Sequence, residues 1–542
     1  MGAMQNPRKL ASNVDPKPSQ VIRTILDRSL RMPFHSILFE NPEDRTQDSA
    51  AEAPSFFADL NCDQIVEGIT RGREEYNLKP FFYACLHRID AITYRHEIMR
   101  DLENALLLER VKSFARNMRE MRQLLVEVQK MYFKEQKQAW FLEAVEIYCD
   151  TIHSFVEDLN KADLKSPGFL GFRNYLTNYA GSGGFTSLLA ETKKLKADLA
   201  TVQYCVLIKG DTFTVRRSES ETDYSVDVEQ TFEKFKQGAV NDYRVKFSTS
   251  DDMNHIEAKI LEFVAKLYPE VFEALDGYCA RNVNYSDDTV ATFDREIQFY
   301  LAYLDYIAAL KQVGLPFCYP HVSDESKEVY DYNGFDIALA QKLLGQRSSV
   351  VCNDFNLKKK ERVLVISGPN QGGKTTFARA FGQFHYLASI GCPVPGTEAR
   401  LFLFDKLFTH FEKEERVENL RGKLEDDLMR IHQLLGQATP RSIMIMNEIF
   451  TSTTIQDETF LSKKLMKKIL KLDLLCVWVT FVDELASFSS QTVSMVSTVV
   501  PENPALRTFK IVRRPADGLA YAMAIARKYR VTYESIKERI RS

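Results

Sequence analysis

Gly368-Pro369-Asn370-Gln371-Gly372-Gly373-Lys374-Thr375 fits the phosphate-loop pattern of a glycine, four free positions and then Gly-Lys-Ser/Thr. Its flanks supply the context that the pattern needs. Val363-Leu364-Val365-Ile366 is a short, fully apolar run of the kind that forms a buried parallel strand. Thr376 to Ile390 reads as a helix with Phe377, Ala380, Phe381, Phe384 and Leu387 on one face. Glycines at 368, 372 and 373 let the chain curl so that backbone N–H groups face phosphate oxygens, beside the positive end of the following helix. Lys374 is expected to reach the β- and γ-phosphates and Thr375 to ligate Mg²⁺, with Pro369, Asn370, Gln371 and Thr376 completing the cradle. The stretch predicts a nucleoside triphosphate site.

A phosphate loop needs an acidic partner at the end of a second buried strand, to hold Mg²⁺ through water and to polarise the attacking water. Ile443-Met444-Ile445-Met446-Asn447-Glu448 offers four apolar residues and then Asn-Glu. Glu448 is the candidate general base, the catalytic counterpart of Lys374. Asn447 stands where Asp is usual. Its carbonyl oxygen can still accept a hydrogen bond from metal-bound water, but the charge is gone, so Mg²⁺ between Thr375 and Asn447 is expected to be held less tightly. The plainer alternative is a strand capped by Asn-Glu.

The rest of the composition sets bounds. At 542 residues the chain has room for roughly three or four domains. Its 45% hydrophobic and 27% charged residues are ordinary for a globular protein. A formal net charge of −3 gives no global pull toward nucleic acid, so any such binding must come from local patches. Nine cysteines occur singly from Cys62 to Cys476 without a CxxC pair, which argues against zinc and for reduced thiols in a cytoplasmic setting. Met1 to Gln20 is polar and proline-containing, unlike a signal peptide, and Leu474 to Val479 is too short to span a bilayer.

Residues 1–55 read as a loosely ordered tail with one apolar patch, Met32-Pro33-Phe34 and Ile37-Leu38-Phe39, able to dock on the next domain. Phe81 to Ser166 contains neither Gly nor Pro, the mark of long helices. Leu102, Leu106, Val111, Phe114, Met118, Met121, Leu125 and Val128 give a single apolar stripe, a bundle core without chemistry. Pro167-Gly168 and Gly181-Ser182-Gly183-Gly184 predict breaks, and Leu188 to Leu199 another helix. Val202–Ile208 and Thr212–Arg216 around Lys209-Gly210-Asp211 predict a hairpin. An acidic stretch (219–233) and a mixed basic one follow. Helices are expected over 253–268 and 290–311, with Pro269 between them. The pattern is an arm over 56–349 with a small tip at about 200–250. Arg216 and Arg217 could touch phosphates there, although a solvated face is the simpler reading. Gly314 to Ser349 reads as a connector, and 350–542 as the α/β domain.

The segment from Gly368 to Thr376 resembles the ATPase domain of the MutS family of DNA-mismatch-repair proteins, whose loop motif is Gly-Pro-Asn-x-Gly-Gly-Lys-Ser/Thr-Thr. Further matching residues are Ile390-Gly391 with Val394-Pro395, Asp405 to Thr409, Ala438 to Ser442, Asp457, Phe509 to Val512 and Tyr521 to Ala526. Asn353-Asp354 fits upstream of the loop, and Phe355 is the expected stacking partner for adenine. The likeness is strong over about 190 residues and extends to the helices only in layout. It implies an α-helical core and lever with a small β-containing tip, followed by a C-terminal α/β P-loop ATPase of the ABC class.

Departures from the family pattern are specific. The strand after the acidic one usually carries Thr-His; here Thr480 precedes Phe481, so Asp483 or Thr480 must replace the γ-phosphate sensor if one exists. A Ser that the family offers to the opposing subunit's nucleotide falls at Leu424, leaving Arg421, Gly422 and Lys423 as substitutes. The family's Gly-Arg-Gly-Thr-Ser-Thr becomes Phe450-Thr451-Ser452-Thr453-Thr454-Ile455. Phe141-Leu142-Glu143 and Phe155-Val156-Glu157 match a mismatch-reading Phe-x-Glu wedge, but lie mid-helix as packing residues.

The resemblance thus implies a homodimeric clamp that binds and hydrolyses ATP with Mg²⁺ and encloses duplex or branched DNA, without mismatch-reading domains and without a membrane. Two alternatives stay open: a nucleotide-gated scaffold with little hydrolysis, and an ATPase acting on RNA or the ribosome.

Overall fold

Val363–Ser367, Ile443–Asn447 and Leu475–Val479 are pentapeptides in which every residue is buried, and the computed structural model pairs them as neighbouring parallel strands. Unbroken apolar runs suit strands covered on both faces. The structure describes residues 34–44, 52–218, 253–344, 346, 349–412, 422–516, 529 and 531–541. These belong to two units, one drawn from Met1–Asp101, Lys165–Phe169 and Arg295–Ser542, the other from Leu102–Leu164 and Leu170–Asp294.

The first unit takes in part of the expected tail. Ser36 to Phe39 are buried, and Ser36 Oγ and the Ile37 N–H donate to Glu296 Oε2 at 2.7 and 3.0 Å. Tyr94 and Tyr300 hydroxyls donate to the carbonyls of Ser36 and Ile37. Helices α1 (Phe57–Leu60), α2 (Cys62–Thr70), α3 (Lys79–Tyr83) and α4 (Ile89–Asp101) follow. They belong to the α/β unit and not to an arm beginning at residue 56: Gln383 Nε2 donates to Leu60 O and Tyr386 OH to Phe82 O. The rest of the tail, residues 1–33 and 45–51, lies outside the described residues.

In the second unit come α5 (Ala105–Lys130), α6 (Lys134–Lys161), α7 (Pro167–Ala180, from Leu170 onward) and α8 (Gly183–Ala200). Asn104 caps α5, its Oδ1 accepting from the N–H groups of Leu106 and Leu107. That cap fixes the register. Leu107, Val111, Phe114, Met118 and Met121 are buried on one face, whereas Leu106 is 66% exposed and leaves the stripe to its neighbour. The helices break where expected, and the residues there open the next helix: Pro167 begins α7, and Gly183-Gly184 start α8 behind the Ser182 cap. Proline lacks only an N–H that the first turn does not use. Strands β1 (Tyr204–Lys209) and β2 (Thr212–Arg217) form the hairpin around Gly210. Residues 219–252, most of the expected tip, lie outside the described residues. Beyond them α9 (His255–Leu267) is followed directly by α10 (Pro269–Arg281), Pro269 again opening a helix.

Helix α11 (Asp288–Gln312) belongs to the first unit from Arg295. The expected connector 314–349 is folded: it holds β3 (Phe317–Cys318), β4 (His321–Ser323), β5 (Val329–Gly334) and α12 (Ile337–Leu344). With β6 (Asn353–Leu357) and a later strand, β4 and β5 make a four-stranded sheet, so the α/β part starts before residue 350. Then come β7 (Val363–Ser367), α13 (Lys374–Ser389), β8 (Val394–Pro395), β9 (Glu398–Phe402), β10 (Leu407–Phe411), α14 (Lys423–Gln437), β11 (Ile443–Asn447), α15 (Ile455–Leu472), β12 (Leu475–Val479), β13 (Thr492–Val500), β14 (Asn503–Arg513) and α16 (Tyr533–Arg541). The main sheet runs β10-β11-β12-β7-β13-β14, parallel except for β14. Its register sets Asn447 beside Val479 and Val479 beside Ile366, with Ser367 beside Val496. The residues that follow therefore leave the sheet at one end, Gly368, Glu448 and Thr480-Phe481, while β13 runs on through Ser497, paired with Ile511 of β14.

Candidate functional site

At that end the loop between β7 and α13 turns through left-handed backbone at Gly368 (φ 115°), Gln371 (φ 58°) and Gly373 (φ 89°). Space, as much as torsion, demands glycine. A Cβ on Gly368 would come within 2.9 Å of the Ser497 carbonyl, and one on Gly372 within 2.2 Å of Ser497 Oγ. Ser497 is fully buried and donates to the Gly372 carbonyl at 2.7 Å, so it seats the loop on β13. Arg507 Nε, from β14, donates to the Asn370 carbonyl at 3.1 Å.

Lys374 opens α13, and its side chain is almost wholly buried. The ammonium donates to Gly368 O, Pro369 O and Asn370 Oδ1 at 3.0, 3.2 and 3.3 Å, with Glu448 Oε1 at 3.8 Å. Burial lowers its pKa; the Glu448 charge works the other way, and Arg507 adds to the lowering. Anionic oxygens in place of those carbonyls would relieve this desolvated cation.

Thr375 Oγ1 donates to Asn447 Oδ1 at 2.9 Å, so the two residues expected to hold a metal meet where the first turn of α13 faces the end of β11. Both offer uncharged oxygens, which suits a hard cation but contributes no charge. Among the described residues no cluster of three or more His, Cys, Asp or Glu is arranged to hold a metal. Glu448 takes a left-handed conformation (φ 53°), and Phe450 does too (φ 64°). Such strain in non-glycine residues is costly and concentrates at functional sites. The Glu448 N–H is held by Val479 O at 3.0 Å.

A cavity of about 530 Å³ lies over the loop, walled by Gln371 to Phe377, Glu448, Phe355 and Phe509 among others. That size suits a small-molecule ligand. Phe355, the expected stacking partner for the base, lines the cavity but is only 3% exposed and packs against Phe377, Phe381 and Phe384. Phe509, with φ 59° and a half-exposed ring, is the freer aromatic wall. Asn353 clamps it, donating to the Phe509 carbonyl and accepting from the Ile511 N–H. Sequence reasoning gives no role to Ser497, Arg507 or Phe509. Each lies more than 120 residues from the loop that it supports, and although Phe509 opens a stretch that resembles the family's C-terminal strand, nothing in that stretch points to a nucleotide.

Most of the departures from the family pattern have a definite place. Thr480 is buried, its Oγ1 accepts from the Val482 N–H, and neither it nor Asp483 lines the cavity. Phe481 lies with its ring centroid 4.4 Å from Lys374 Nζ. At the start of α14, Lys423 pairs with Glu412, while Leu424 packs on the apolar core; Arg421 is outside the described residues. Thr454 caps α15 through Asp457. Tyr521 to Ala526 also lie outside the described residues. Among the described residues no helix is long and apolar enough to cross a membrane.

Residues 364–538 match the family model described as MutS domain V. A DNA mismatch repair protein MutS of Desulfovibrio desulfuricans is 29% identical over 236 residues, 42% of this chain and 25% of that protein. The DNA mismatch repair protein Msh3 of Mus musculus is 29% identical over 160 residues, 29% of this chain and 14% of that protein. A MutS of Chlorobaculum tepidum is 25% identical over 301 residues, 54% of this chain and 32% of that protein. The chain thus spans less than a third of the length of these relatives.

Proposed function

We propose that this chain, which belongs to the MutS family through residues 364–538, binds and hydrolyses ATP at the cavity over the 368–375 loop and uses it to gate a homodimeric clamp on DNA. The observation that carries the reading is the convergence of two strand ends. Thr375 meets Asn447 at 2.9 Å, and Glu448 comes within 3.8 Å of Lys374. In this assignment the amides of the loop and of the first turn of α13 receive the phosphates. Lys374 exchanges its contacts with loop carbonyls for phosphate oxygens, and Phe509 offers its exposed face to the base. Thr375 and Asn447 would hold Mg²⁺, which neutralises charge on the phosphates. Glu448, close to the loop but outside the metal pair, accepts the proton of the attacking water.

The DNA partner rests on the relatives, whose names describe DNA mismatch repair proteins. A scaffold that binds ATP and barely turns it over is the second reading, favoured by the uncharged Asn447 and by Phe481 beside Lys374. Mg²⁺-dependent turnover of the wild type and of Glu448→Gln, with and without duplex and four-way-junction DNA, separates them. Turnover altered by DNA and abolished by the substitution is the expected result. Tight ATP binding with negligible turnover in both proteins selects the scaffold. Turnover indifferent to every DNA, but responsive to RNA, moves the partner to RNA.

A further inference from the structure

The Lys374 ammonium is approached from two chemically unlike sides. Three loop oxygens accept from it at 3.0–3.3 Å, and the aromatic face of Phe481 lies 4.4 Å away. That face is held in place by its neighbours. The Thr480 N–H donates to Ile366 O at 3.1 Å, and the Val482 N–H to Thr480 Oγ1 at 3.0 Å. Val482 is buried in the core beside Trp478. Phe481 itself remains 47% exposed, so its position owes little to burial of the ring.

The face of a benzene ring attracts a cation and repels an anion, and it offers no hydrogen-bond donor. A phosphate oxygen bound to an ammonium needs an approach of about 2.8 Å. A ring centred 4.4 Å from Nζ stands in one of those approaches and turns its negative face toward any oxygen placed there. The β-phosphate of a nucleotide can be met by the loop amides without using that side. A third phosphate, which also seeks Lys374, must move the ring or lie against it.

We propose that Phe481 is a specificity-determining residue that ranks nucleoside diphosphate above triphosphate, so that the third phosphate must displace its ring. The proposal rests on the nucleotide reading above. Phe481 acts by what its ring excludes, not by bonding the nucleotide.

The test is calorimetric binding of Mg-ADP and of a Mg-bound, non-hydrolysable ATP analogue to the full chain, as wild type, Phe481→Ala and Phe481→Leu. The wild type is expected to prefer ADP by about tenfold, the ratio that a cation–π contact of middling strength corresponds to. Both variants should narrow that ratio to about threefold or less while leaving ADP affinity in place. Leu keeps most of the volume, so it reports even if Ala fails to fold. Wild-type preference for the triphosphate, or an unchanged ratio in Phe481→Leu, overturns the role of Phe481 and leaves the nucleotide site standing. Failure of the wild type to bind either nucleotide overturns both.

Discussion

A single methyl group at position 372 would meet Ser497 Oγ at 2.2 Å, Pro369 O at 3.0 Å and Ser497 Cβ at 3.2 Å. Gly372→Ala should therefore distort the loop and weaken nucleotide binding by roughly tenfold or more, the scale of an overpacked core site. Removing the hydroxyl in Gly372→Ala/Ser497→Ala relieves the closest of the three clashes. Fluorescent-nucleotide titration should show partial recovery in the double variant, and no recovery would sink the packing account. Asn447 permits the opposite experiment. Asn447→Asp adds a carboxylate beside the Thr375 hydroxyl, where a unit charge about 4 Å from a cation is worth on the order of 1 kcal/mol even in water. Half-maximal turnover should then need roughly tenfold less Mg²⁺; an unchanged requirement would place the metal elsewhere. The glycines and Asn447 are legible in the sequence because a contiguous motif carries them. Ser497 is not, because its effect comes only from the pairing of β13 with β7. Phe355 and Phe509 show the same limit: both line the cavity, but burial of the one and exposure of the other are set by packing that no local pattern records.

Helices divide in the same way between what periodicity reveals and what a cap decides. On α5 the stripe is visible, but its first member is not. Leu107→Ala should cost about 2–4 kcal/mol of stability and Leu106→Ala almost nothing, read as midpoints of denaturant unfolding. Equal effects would mean that Asn104 does not set the register. The buried faces of β7, β11 and β12 are readable as unbroken apolar runs, whereas the proline-started helices α7 and α10 and the glycine-started first turn of α8 are not, since the same residues also end helices. Burial makes a pH-dependent element of α13. His385 has its Nδ1 2.9 Å from the Phe381 carbonyl, with Nε2 buried and unpartnered among the described residues, and burial pushes its pKa down to about 4 from 6.5. The unfolded chain takes up that proton below about 6.5 and the folded chain only near 4. Stability is thus complete above the higher value and falls as acid is added through this window. At pH 5 the loss from this group is about 2 kcal/mol. His385→Phe, filling the same pocket beside Phe381, should flatten the acid limb of the thermal-melting profile by that amount; a profile identical to wild type would refute it.

The whole chain carries a formal charge of −3, so attraction to a nucleic acid backbone must be local. The α/β part provides a place for it. Lys464, Lys467, Lys468 and Lys471 lie on the exposed side of α15, opposite the buried Leu465, Met466 and Ile469. At the end of that helix Asp473 is already taken by Lys327 and Arg362 at 2.7 and 2.6 Å. Arg362 also donates to the Lys359 carbonyl, which brings the exposed Lys358-Lys359-Lys360 turn alongside. None of these seven ammonium groups pairs with a carboxylate among the described residues. The turn precedes β7, and Lys471 precedes β12. The strip thus borders the starting ends of two strands whose other ends carry the loop and Thr480-Phe481, and a phosphate backbone lying there would not compete with nucleotide. If DNA is the partner, Lys467→Glu/Lys468→Glu should weaken duplex binding and reduce the slope of log K against log salt by about 0.9 for each phosphate that the variant no longer neutralises. ATP turnover without DNA should stay unchanged, since both positions lie away from the cavity. Fluorescence anisotropy across a salt series reads affinity and slope together. A fall in both assigns this strip to the backbone, whereas unchanged values send the DNA to another surface without touching the nucleotide chemistry.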